Sequence, residues 1–210
     1  MQRILKIFLA HVFVLFSTIA CDLENTTDPG DIGVPPPPSD GGDLSCEGIE
    51  LSDDEYALYR AIMNERERHG LHQIPLSAAL TEVAQVHADD AVAFPNVFND
   101  QCNLHSWNSS RYWKGCCYTA DHAKASCMWD KPEEIAGFRA HGYEIAYRGT
   151  HAPNNMLDLW LNSPGHRDVI LNHGNWERSP WKSIGIGISE RGSDNQRFAY
   201  VWFSEARDCE

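Results

Sequence analysis

Histidine is the side chain whose ordinary pKa lies nearest neutrality, and it serves equally as proton carrier, hydrogen-bond acceptor and metal ligand. One of the ten in this chain stands in the stretch Trp160–Asn172, WLNSPGHRDVILN, where an apolar helical ending meets a Ser-Pro-Gly break. Ser163 fits the cap position of a new helix, Pro164 its first position, and Gly165 imposes no side chain there. His166 then falls at the third helical position, beside unpaired backbone N–H groups and the positive end of the helix dipole. That setting biases the imidazole toward its neutral form and leaves a ring-nitrogen lone pair free to accept a proton, a hydrogen bond or a cation. The plain alternative is a helix-start residue that faces solvent. His87 sits differently, within the apolar stripe of a predicted helix, and reads as a core histidine rather than a ligand. The chain has no HExxH and no GxSxG motif, so neither a zincin nor a serine-hydrolase signature is present. Ser106 adjoins His105, but neighbouring side chains rarely face each other.

Cysteine is the other chemistry-bearing residue, with seven in the chain. Residues 1–20 carry Arg3 and Lys6 ahead of a run of about fourteen mostly apolar residues, too short to span a bilayer but suited to a secretory signal. The run ends STIAC, so Cys21 is the expected site of lipidation, with Thr18 in place of the usual Leu; a plain cleaved signal is the alternative. Residues 21–45 then form an acidic, base-free linker with prolines at 35–38 and Gly41-Gly42, composition that cannot build a core. Fully extended it would reach about 80 Å and hold a domain off a membrane. The other six cysteines are Cys46, Cys102, Cys116, Cys117, Cys127 and Cys209, and an even number in an exported chain reads as disulfides. Adjacent Cys116 and Cys117 lie only about 3.8 Å apart at Cα, so each is expected to pair elsewhere. Cys46 and Cys209 flank the folded part, where domain termini often meet. If they pair, Cys102 joins either Cys116 or Cys117, and Cys127 takes the other. The formal charge of −13 becomes more negative once the leader is removed, and excludes DNA, RNA and anionic lipid surfaces as general partners.

Residues 46–210 are left as one domain, long enough to bury roughly 70% of its unfolded surface. Ser52 and Glu55 fit a capping box that opens a helix with Leu58, Tyr59, Ile62 and Met63 on one stripe and Gly70 as its stop. Ser77 starts a second helix, with Leu80, Val83, Ala84, His87, Ala88 and Ala91 at helical spacing. Later the period changes. Residues 184–189, IGIGIS, alternate isoleucine with Gly185 and Gly187, a glycine face that a helix or ligand can approach closely. Residues 198–203, FAYVWF, are apolar on both faces, as a central strand covered twice would be. Residues 142–147, GYEIAY, form the third expected strand. Helices early, strands late and one strand buried on both sides predict an α+β fold with a three-layer α-β-α sandwich.

Several of these segments taken in order resemble the CAP superfamily, which includes cysteine-rich secretory proteins and plant pathogenesis-related proteins. The similarity covers about residues 51–205: MNERERHGL, IPLSAALTEVAQVHADDAVA, His105 in HSW, GYEIA, WLNSPGHRDVIL, IGIG and YVWF. The WLNSPGHR segment followed by IGIG is its most specific part and resembles the bacterial lipoprotein branch. The resemblance implies an α-β-α sandwich with a shallow cavity lined by two histidines and acidic residues, in a family associated with divalent metals, with sterols or lipids, and with proteolysis. By position the histidines are His105 and His166. The matching acid is displaced, because relatives read GEN-I-A where this chain reads Gly142-Tyr-Glu-Ile-Ala146. Tyr143 therefore stands in the acid's place and Glu144 one residue on. A one-residue shift turns a strand side chain to the opposite face, so Glu144 is expected in the cavity only through a bulge or register change, with Tyr143 as the other candidate. The family's second glutamate has no counterpart in Trp160–Ser163. A long insertion between His105 and Glu144, with Trp107, Trp113, Cys116, Cys117, Cys127 and Trp129, is either a flap that shapes the cavity or ornament.

With His105, His166 and Glu144 together, Zn²⁺ or another divalent cation is the implied cofactor. Three functions follow from the resemblance. The first is a non-enzymatic, lipid-anchored protein of the bacterial envelope, periplasmic or at the cell surface, or else secreted. Its cavity would take a small apolar molecule or an envelope component. The second is a metal-dependent, peptidase-like hydrolase that uses the same three residues. The third is a structural surface protein with a vestigial cavity.

Overall fold

In a computed structural model the described residues are 49–208. The expected signal segment, Cys21, the linker, Cys46 and Cys209 lie outside them. The first helix, α1, is Asp53–Arg68, and its capping box forms as read: the Ser52 hydroxyl accepts from the Glu55 N–H while the Glu55 carboxylate accepts from the Ser52 N–H. Such a cap stabilises a helix by about 1 kcal/mol. The second, α2, is Ala78–Ala93, capped by Ser77. Two short helices in the insertion follow, α3 at Ala125–Trp129 and α4 at Lys131–Ala136, which the sequence did not announce. Then come β1 at Tyr143–Gly149, α5 at Pro153–Asn162, α6 at Pro164–Leu171, β2 at Ser183–Arg191 and β3 at Gln196–Ser204.

The three strands form one antiparallel sheet in the order β1-β3-β2, so the segment that is apolar on both faces is the central strand. Its side chains divide by period two. Phe198, Tyr200 and Trp202 enter a core shared with α2 and the insertion. Ala199, Val201 and Phe203 enter a second core with α1, α5 and α6. Sheet and helices thus make the expected α-β-α sandwich, an α+β fold. Gly185 and Gly187 serve a helix and not a ligand: a Cβ on either would overlap the α2 backbone at Leu80 and Ala84. Ile184 and Ile186 fill the opposite core.

The insertion is pinned by Cys102–Cys117 and Cys116–Cys127, which settles the pairing that spacing left open. Trp107 and Trp113 are buried in the α2-side core, so this segment is part of the fold.

Candidate functional site

Strand β1 is an edge of the sheet, and its free side opens a cavity of about 460 Å³. Elements from both layers meet there. The α2 side supplies His105, from the turn after α2, and Tyr118, His122, Met128 and Trp129 from the insertion; the other side supplies Ser163, Gly165, His166, Val169, Asn175 and Trp176. Tyr143 and Glu144 both line it. The two histidines predicted to converge therefore share one cavity, and the insertion builds part of its wall.

Glu144 gets there without the bulge expected from its displaced position. The ladder runs unbroken from Tyr143↔Phe203 to Gly149↔Arg197, with Glu144 opposite Trp202 on the α2 face. An edge strand removes the conflict, because a cavity that wraps the edge is reached from either face. Tyr143 points to the other layer, against Trp176 and Trp181 at ring-centroid distances of 4.9 and 5.6 Å.

The Glu144 side chain is fully buried and both its oxygens are committed. Oε1 lies 2.7 Å from His105 Nδ1, and Oε2 lies 2.6 Å from His87 Nδ1. Burial raises the proton affinity of this carboxyl above the ordinary range, opposed by His87. His87, which the sequence places in the core, is indeed fully buried, but it is also the partner of the site carboxylate. Its ring is stacked between Trp107 and Tyr200, each at 3.8 Å, and its Nε2 lies 3.0 Å from the Ser106 carbonyl. Helical spacing gave its face. Nothing in the sequence marked a contact with a residue 57 positions away.

His105 keeps 19% of its side chain exposed, and burial pulls its pKa down to about 4. The pKa of His166 is also lowered, first by burial and then by the charge of His105, so the two rings sense each other. Both imidazoles are neutral at pH 7. For His166 the sequence reading reached the same state by the helix dipole, whereas burial is the larger cause. Its Nδ1 lies 2.8 Å from the Ser163 hydroxyl. Ser163 does occupy the cap position of α6, but no side-chain cap bond forms, because that hydroxyl turns to the imidazole. The rest of the wall is mainly apolar and aromatic, with Met128, Trp129, Tyr143, Val169 and Trp176, and its other polar members are Tyr118, His122 and Asn175.

The implied metal does not fit this donor set. Each Glu144 oxygen is paired with a buried-side imidazole nitrogen, and among the described residues no group of three or more His, Cys, Asp or Glu side chains is disposed to hold a cation. What remains toward the cavity is the neutral imidazoles of His105 and His166, with His122 on the insertion side, in a largely aromatic box.

The molecule is thus a three-layer α-β-α domain with a histidine-lined cavity at the sheet edge. The model of the Cysteine-rich secretory protein (CAP) family matches residues 59–205, and the chain belongs to that family. Among solved structures it is similar to an outer surface protein from Borrelia burgdorferi, with 17% identity over 74% of this chain and 96% of that one and a TM-score of 0.47. It is also similar to a cysteine-rich secretory protein from Staphylococcus aureus, with 15% identity, 76% of this chain, 40% of that one and a TM-score of 0.46. Among curated proteins no sequence matches.

Proposed function

We propose that this is an exported binding protein whose CAP domain takes a small, uncharged, largely apolar molecule into the cavity at the β1 edge. The observation that carries this reading is the composition of the cavity wall. Aromatic and aliphatic side chains surround His105 and His166, both neutral, while the carboxylate beside them is turned inward. A cavity of this size with few convergent polar groups is the usual form of a small-molecule site. 1-Naphthol is a suitable probe, since it has an aromatic body and one hydroxyl. Titrated into the protein, it should bind saturably, and Gly165→Phe should abolish binding. Gly165 lines the cavity with open space beyond its Cα, so that ring can plug the site. Unchanged binding by the plugged variant would refute the reading.

Two disulfides and the CAP family support an oxidising compartment. A lipid anchor on Cys21 remains the reading for the N-terminus, holding the domain at the bacterial envelope. It predicts labelled-palmitate incorporation that Cys21→Ala abolishes; label retained by the variant would overturn it.

One observation favours a second reading, a hydrolase. Ser163 Oγ and His166 Nδ1 stand at 2.8 Å, the separation of a nucleophile and its base, beside the N-terminus of α6. A fluorophosphonate probe distinguishes the two. The hydrolase reading requires labelling that Ser163→Ala removes, and the binding reading requires none.

A further inference from the structure

The hydrogen bonds around Glu144 define where the protons are. The Ser106 carbonyl can only accept, so His87 Nε2 must carry a hydrogen. His87 Nδ1 at 2.6 Å from Glu144 Oε2 then leaves two arrangements. Either His87 is an imidazolium donating to a carboxylate, or His87 is neutral and accepts from a protonated Glu144. A neutral His87 facing an ionised Glu144 would set two lone pairs against each other. A proton on Oε1 combined with an imidazolium would leave an uncompensated positive charge buried in the core, which desolvation strongly disfavours. In both permitted arrangements one proton is shared between His87 and Glu144, and Oε1 is an acceptor. His105 Nδ1, 2.7 Å from Oε1, is then the donor.

We propose that His87, acting through Glu144, is a positioning residue that locks His105 in a single tautomer, with Nδ1 protonated and Nε2 bare toward the cavity. The buried pair thereby decides what the cavity's polar end can recognise. A bare Nε2 accepts a hydrogen bond, so it selects ligands that carry an O–H or N–H donor over ether or carboxylate analogues of the same shape. The aromatic stack of Trp107 and Tyr200 holds the His87 ring in the one orientation that serves both Ser106 and Glu144. The selectivity rests on the binding function proposed above, whereas the tautomer does not.

The tautomer is read directly from the imidazole nitrogen resonances of the ¹⁵N-labelled full chain, at pH 7 with chelator and no ligand. His105 should show a protonated Nδ1 and a bare Nε2. Glu144→Gln should preserve this state, because the amide oxygen can accept from His105 while the NH₂ donates to a neutral His87. Glu144→Leu should release His105 into a mixture of tautomers. His87→Phe, whose ring can keep the stack, should also end the single bare-Nε2 state. A wild-type His105 protonated on Nε2, or one whose tautomer ignores both Glu144→Leu and His87→Phe, overturns the proposal. For the ligand, 1-naphthol should bind about tenfold more tightly than 1-methoxynaphthalene, which keeps the body and lacks the donor. Equal affinities would overturn the selectivity. If neither compound binds, the binding function fails, and the nitrogen spectra still decide the tautomer.

Discussion

His105 occupies its place at the cost of its proton affinity. Its pKa is about 4 in the fold and about 6.5 in an unfolded chain, so as pH falls through that window the unfolded state takes up a proton that the folded state refuses. Stability is therefore lost from pH 6.5 down to 4, by at most about 3 kcal/mol. Urea unfolding of wild type and His105→Gln at pH 7.5 and pH 4.5 checks this. The wild type should lose about 2 kcal/mol more than the variant between the two values, and parallel losses would be contrary to a buried, neutral His105. Glu82 on α2 has the opposite sign, since burial pushes its carboxyl up to about 7. Its contribution is present below about pH 4.5 and is lost as pH rises through 7. Glu82→Gln should therefore be more stable than wild type at pH 8, by about 1–2 kcal/mol, with the gain gone by pH 4.5.

Among the elements, the most legible were those set by local rules. The Ser52 box, the Ser77 cap, the glycine face of β2 and the doubly apolar β3 each follow from a few neighbouring residues, and each formed. The glycine face carries its own prediction. Gly187→Ala places a methyl against the α2 backbone at Ala84, where no flexible side chain can give way. Overpacking of this kind costs about 1–3 kcal/mol and here falls at the upper end or beyond. Thermal unfolding should show the loss, and a neutral variant would contradict the packing of α2 on β2. Less was legible where direction depends on partners far away in sequence. A strict face rule put Glu144 away from the cavity, and only the position of β1 at the sheet edge resolves that. The tie between His87 and Glu144, and the turn of the Ser163 hydroxyl from helix cap to His166, left no local mark.

At the scale of the whole molecule, the insertion and the two helical layers have to be held around one edge strand. Local spacing could not tell which of the adjacent cysteines takes which partner, because both choices close loops of similar length. The observed Cys116–Cys127 bond ties the buried stretch at Trp107, through its backbone pairing with Cys116, to the helix that carries Met128 and Trp129. Replacing both cysteines with serine opens a loop with a sequence separation of 11, a loss of about 2–3 kcal/mol if chain entropy dominates. Unfolding midpoints should fall accordingly, and 1-naphthol affinity should fall with them as the wall loosens. Full affinity in the double variant would make the insertion ornament after all. Binding at the β1 edge requires His105 and His166 to act in one shared, ligand-accessible cavity. The most direct test is to follow the imidazole resonances of both histidines while 1-naphthol is added. Both should shift along one saturable curve that disappears in Gly165→Phe, and shifts at only one ring, or at neither, would contradict a shared site.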